Sequence, residues 1–316
     1  MPDQVTSWTR FCAWATVVVQ IGIIATGGIV RVTGSGLGCP TWPYCTEDSL
    51  VNTPEMGIHG VVEFGNRTLT GVLVIVALLT GLAVLRTRGS GRRLVGPAVA
   101  IGVLILVQAI IGGLTVLGAL DPRLVGIHFL ISGLLVAIAS VLLVRVRRDE
   151  PVPPHRAHPL LVAAATVVNI FTWITVVLGV LTTGSGPHAG DSAAARNGLD
   201  PLLMQHMHSY PAYILLFATI AMTWMVYAFG AKSMNRTSVL QIGVILTQMI
   251  IGIAQSRMGL PEWMVVLHML LAGIAICVAT MNMTLARRSV APGDLAEMLS
   301  DEVEGVPEPE HEAVRG

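Results

Sequence analysis

The chain has 316 residues, of which 53% are hydrophobic and only 12% charged, with 19 basic and 19 acidic side chains. A water-soluble domain carries charge on roughly a quarter of its residues, so this composition excludes an ordinary globular enzyme. Zero net charge gives no reason to expect a nucleic-acid partner.

Apolar runs of about 20 residues, long enough to cross a bilayer, recur along the chain. They fall near 8–31, 60–85, 94–118, 123–145, 159–183, 202–229, 237–256 and 262–286. None alternates as a barrel strand does, so each predicts a helix. The first run lacks a small-residue cleavage site and is too long for a signal-peptide core, so it reads as a retained span.

Basic residues orient these spans. One set of connections holds Arg86, Arg88, Arg92, Arg93, Arg145, Arg147, Arg148, Arg156, Lys232 and Arg236, with Arg10 before the first span and Arg287 and Arg288 after the last. The other side holds Arg31, Arg67, Arg123, Arg196 and Arg257. The positive-inside rule then predicts a multi-pass plasma-membrane protein with both termini cytoplasmic. The segment around Pro151 to Pro154 reads as a linker, and the acidic tail after Ser289 as disordered. The expected organisation is an amino-terminal half (1–148), a linker (149–158), a carboxy-terminal half (159–288) and a tail (289–316).

The halves repeat one another. LVQAIIGG in the third span matches LTQMIIGI in the seventh, setting Gln108 against Gln248 and Gly112 against Gly252. VGIHFLISG in the fourth matches VVLHMLLAG in the eighth, setting His128 against His268, again 140 residues apart. TGSG follows both the first and the fifth span, at Thr33 to Gly36 and Thr183 to Gly186. Four spans per half insert in the same sense. The fold class expected is therefore all-α and integral to the membrane: eight transmembrane helices in two parallel-repeat four-helix bundles.

His59, His128, His206, His208 and His268 lie five to seven residues after prolines that open spans, on the second, fourth, sixth and eighth helices. Ionisable side chains inside a membrane are costly and usually functional. A single imidazole near a helix end can simply reach interfacial water. Facing imidazoles from two helices of a four-helix core are what axial ligation of haem iron requires. Zinc normally takes three or four ligands and recruits carboxylate or thiolate. Glu63 follows His59 by four residues and can relay protons beside a haem edge, or merely pair with Arg67 at i+4. Cys39 and Cys45, in GCPTWPYC, predict a disulfide on the oxidising side. Cys12 and Cys277 read as packing residues.

The runs GGIVRVTGSGLGCPTWPYC, EFGNR (Glu63 to Arg67) and TTGSGPHAGD, with the fourth- and eighth-helix histidines, together resemble the haem A synthase family. The resemblance covers residues 10 to 288. It implies conversion of haem O to haem A, a porphyrin methyl group being oxidised to a formyl group by successive hydroxylations. It also implies one half for substrate haem O, the other for a haem b cofactor, and importance of Glu63 in turnover. An external electron donor is expected because no flavin or nicotinamide fingerprint is present, and haem O synthase is a candidate partner. Arg31, Arg67 and Arg123 are expected to meet the haem propionates.

One departure stands out. Members of the family have His where this chain has Asn66 in EFGNR. His59, two turns earlier, is the expected substitute ligand opposite His128. In the sixth helix, His206 has the repeat offset in its favour and His208 the following Ser-Tyr; the two lie about 200° apart, so one alone can face the core. The alternative to a synthase is a bis-His electron carrier of cytochrome b type, without ring chemistry.

Overall fold

The computed structural model describes residues 5–87, 91–147 and 158–288. Most of the expected linker and the tail lie outside them. Among the described residues eight helices are long and apolar enough to span a membrane. They are α1 (Ser7–Val32), α2 (Gly57–Leu85), α3 (Gly91–Leu117), α4 (Pro122–Val146), α5 (Pro159–Ser185), α6 (Pro201–Ala228), α7 (Asn235–Arg257) and α8 (Glu262–Arg288).

Local chemistry sets their starts. Pro122, Pro159 and Pro201 open helices at a position whose N–H needs no acceptor. Asp121 and Asp200 cap α4 and α6, their carboxylates accepting from Arg123 N–H and Leu203 N–H. Pro54 behaves differently. It opens a short 3-10 turn, Pro54–Met56, that stops at Gly57 (φ 58°) before α2 begins.

Neighbours follow a simple plan. Helices α1 to α4 touch in a ring, as do α5 to α8, and the rings meet where α1 and α4 pack on α8 and α4 on α5. Helices α4 and α8 therefore run through the middle, burying 56% of their apolar windows against 17–33% for the other six. The outer helices turn large apolar side chains outward, among them Phe217, Trp224 and Ile250. Exposed apolar surface on that scale suits lipid rather than water. Between helices, polar side chains bond one another where no water competes. Examples are Thr16 with Thr80 at 2.8 Å and Asn282 donating to Gln241 at 2.6 Å.

The corners α3–α4 and α7–α8 share one geometry. Leu120 and Leu260 have φ of 60° and 61°, and their N–H groups donate to Thr115 and Gln255 carbonyls, each at 2.8 Å. Those equivalent atoms lie 140 residues apart, the spacing of the histidines two turns further on. Odd-numbered helices pass to even-numbered ones at one end of the bundle, here termed the upper end.

Candidate functional site

Three imidazoles near the upper end lie against glycines of the preceding helix. A Cβ built on Gly112 would lie 3.2 Å from His128 Cε1, on Gly252 3.2 Å from His268 Cε1, and on Gly179 3.0 Å from His208 Cε1. Each glycine thus makes the shelf on which a ring rests, and any larger residue would push the ring away.

In the carboxy-terminal half two of these rings meet. His208 and His268 have centroids 6.2 Å apart, with planes at 75°. His208 Nδ1 bonds the Thr175 carbonyl at 2.9 Å, which assigns it the proton and frees Nε2 as a ligand. A metal–imidazole bond of about 2 Å plus roughly 1 Å from nitrogen to ring centre places a shared metal about 3 Å from each centroid. The spacing fits an axial pair. His206 goes elsewhere: its ring is exposed and stacks on Tyr210, centroids 6.4 Å apart. Among the described residues no group of three or more His, Cys, Asp or Glu side chains gathers around a common point.

The amino-terminal half is built otherwise. His128 has its glycine shelf, but Asn66 accepts a 2.8 Å hydrogen bond from Thr26 of α1. Thr26 precedes Thr33 of the first TGSG by seven residues, and Thr175 precedes Thr183 of the second by eight. Asn66 therefore stands on α2 at the depth of His208 on α6, whereas the 140-residue offset had pointed to His206. His59 lies nearer the upper end. Its exposed ring bonds Ser35 Oγ at 2.9 Å through Nδ1, level with the loop after α1. Counting depth from prolines misjudged His59 because Pro54 begins the separate 3-10 turn, not α2 itself.

Glu63 is buried, 5% exposed, one turn from Asn66. It accepts the Cys39 N–H at 2.7 Å and both Nε (3.1 Å) and Nη2 of Arg67. Arg67 also donates to the carbonyls of Thr41 (2.9 Å), Cys39 (2.8 Å) and Tyr44 (3.2 Å). Cys39 and Cys45 form a disulfide that closes this loop, and both are fully buried. From the loop Trp42 packs on Gly113, beside the shelf of His128; a Cβ there would fall 2.4 Å from the indole. The disulfide loop thus packs on α3 through Trp42 and carries the backbone N–H that holds the Glu63 carboxylate.

The expected propionate partners divide. Arg67 is committed to Glu63 and the loop. Arg31 donates from Nε to the His188 carbonyl at 2.6 Å and from Nη2 to Thr183 at 2.9 Å, crossing from one half to the other. His188 in turn bonds the Leu260 carbonyl at 3.0 Å. Gly36 N–H donates to Gly190 at 2.8 Å, so the loops after α1 and α5 are joined. Arg123, exposed at the start of α4, is left facing outward. Sequence reasoning named neither Thr26, Thr175, Gly179 nor Trp42 as part of the site. The glycine shelves were visible only as the repeated Gly112 and Gly252.

Fold and site together define a polytopic membrane protein that holds imidazoles in facing positions within helical bundles. The chain matches the family described as cytochrome oxidase assembly protein (COX15-CtaA) over residues 10–280, and it belongs to that family. Its relatives include haem A synthases of Listeria welshimeri, 26% identical over 75% of this chain and 80% of the relative, and of Methylobacterium radiotolerans, 25% identical over 90% and 92%. Another, from Bacillus pumilus, is 29% identical over 56% of this chain and 57% of its own.

Proposed function

We propose that this chain is a haem A synthase, oxidising one porphyrin methyl group of haem O to a formyl group by successive hydroxylations and loss of water. The observation that carries the reading is the inequality of the halves. One presents the His208–His268 pair; the other presents His128, Asn66 and a buried, loop-held Glu63.

His208 and His268 would hold a resident haem b, which supplies one-electron transfer when bound. Thr175 fixes the tautomer of His208, and the shelves at Gly179 and Gly252 fix both rings. Haem O is the substrate of the amino-terminal half, anchored by His128. Its farnesyl chain lets it partition into the bilayer and arrive between helices. Asn66 is a poor iron ligand and is bonded to Thr26, so in this half His128 would be the residue that holds the haem. Glu63 is placed to move protons there, with Arg67 and the Cys39 amide holding its carboxylate in one orientation. Trp42 and the disulfide loop exclude water from above. Arg123 remains the candidate partner of a propionate. By basic-residue placement the upper end faces outward, the termini are cytoplasmic, and electrons come from an external donor. Haem O synthase is the enzyme that would supply the substrate.

A bis-His electron carrier would need no such inequality. The test is expression in a host that makes haem O but no haem A, with haem extracted and separated by reversed-phase chromatography. A haem A peak that disappears with Glu63→Gln or His128→Ala supports the synthase. Bound haem b without haem A, given haem O and a competent donor, would establish the carrier instead.

A further inference from the structure

Two buried donors and two buried acceptors lack partners in equivalent places. Nδ1 of His128 and Nδ1 of His268 have no hydrogen-bond partner, and neither do Oε1 of Gln108 and Oε1 of Gln248. Buried polar atoms are seldom left so, because each gives up its hydrogen bonds to water without a replacement. Gln108 lies one turn before Gly112, and Gln248 one turn before Gly252, the glycines under the two rings.

The third ring shows what this geometry is for. His208 rests on Gly179, and its Nδ1 bonds the carbonyl of Thr175, also four residues before the shelf glycine. All three imidazoles thus have an oxygen one turn behind their shelf. In α5 that oxygen belongs to the backbone; in α3 and α7 the free oxygen is a side-chain amide. The orientation of Gln108 is set independently. Its Nε2 donates to the His128 carbonyl at 3.0 Å and to Ser132 Oγ, so Oε1 is the end left over.

We propose that Gln108 and Gln248 are positioning residues for the two central histidines. Gln108 Oε1 accepts the Nδ1–H of His128, and Gln248 Oε1 that of His268, through one buried water or after a small side-chain rotation, since no direct bond forms in this structure. Iron ligation by Nε2 requires Nδ1 to carry the proton, and a buried N–H must then find an acceptor. The glutamines supply it and turn Nε2 toward the interior of each half. A stronger acceptor at Nδ1 makes the imidazole more electron-rich and favours ferric over ferrous iron.

The inference rests on the haem-ligand reading above, and purification of the wild-type chain without haem would count against that reading, not this one. With haem bound, the experiment is a spectroelectrochemical titration of Gln248→Glu and Gln248→Leu, with haem content and the ferric EPR spectrum recorded in parallel. Gln248→Glu, which keeps an acceptor and adds charge, is expected to retain haem and shift the midpoint to more negative potential. Gln248→Leu is expected to shift it to more positive potential or to lose haem. Gln241→Leu, on the same helix but bonded to Asn282, removes a buried amide without touching His268 and serves as the control. Unchanged potentials in both Gln248 variants would overturn the proposal. So would loss of haem from both, since the variant that keeps the acceptor should hold it, or the same shift in Gln241→Leu.

Discussion

The two halves share corners, shelves and orphaned glutamines, and differ at one level of α2 and α6. Where α6 offers His208 to its partner imidazole, α2 offers Asn66 to a threonine of α1, with Glu63 one turn away. The upper loops differ in step. The loop after α1 is closed by a disulfide and holds a buried carboxylate, whereas the loop after α5 is held by Arg31 and Arg196 through carbonyl groups. One scaffold therefore carries facing imidazoles in one half and an imidazole, an amide and a buried carboxylate in the other. The comparison teaches that, on the proposed reading, reactivity would depend on the imidazole that α2 lacks as much as on the carboxylate that it carries.

Substitutions can break that comparison. The largest effect is expected from His268→Ala, which removes one of the two imidazoles proposed to hold haem. The low-spin bis-imidazole spectrum should vanish and bound haem should fall by about one equivalent per chain, read by pyridine haemochrome assay. Glu63→Gln should leave that spectrum in place and lower haem A formation on the order of 10²-fold or more, the usual contribution of a positioned proton-transfer group. Asn66→His should make the halves alike. A second low-spin ferric signal should appear by EPR, and haem A formation should fall because the place opposite His128 is filled. Gly252→Ala and Gly112→Ala should each overpack a ring by one methyl, at a cost of about 1–3 kcal/mol, visible as a lower Tm and as broadened haem absorption. The smallest effect is expected from replacing Cys39 and Cys45 together by Ser. The bridge closes a separation of only six residues, so about 2 kcal/mol is at stake. A loss of haem A much greater than the loss of folded protein would tie the loop to the holding of Glu63.

Much of this architecture could be read from the chain. Hydropathy and proline positions bounded eight spans closely, because a helix in lipid must satisfy its own backbone and its ends are chemically abrupt. The histidines on the fourth, sixth and eighth spans stood out against apolar runs. What could not be read was direction and depth. His206 and His208 point to different sides of α6, and only packing on Gly179 of α5 decides which turns inward. His59 looked level with the others because a 3-10 turn and an α-helical turn both begin at proline in the sequence. The commitments of Arg31 and Arg67 were hidden too, since carbonyl groups have no letter of their own.

Arg31 has a consequence for how this protein can be divided. It sits at the end of α1, yet the oxygens that satisfy it belong to Thr183 and His188, across the junction. A guanidinium in a partly buried site with no acceptor is strongly unfavourable. If the chain were cut between α4 and α5, Arg31 would lose both of its acceptors and turn to interfacial water, and the loop after α5 would lose its tie to α1. The halves resemble two copies of one thing, and their upper loops are tied together through that one guanidinium and the Gly36–Gly190 hydrogen bond.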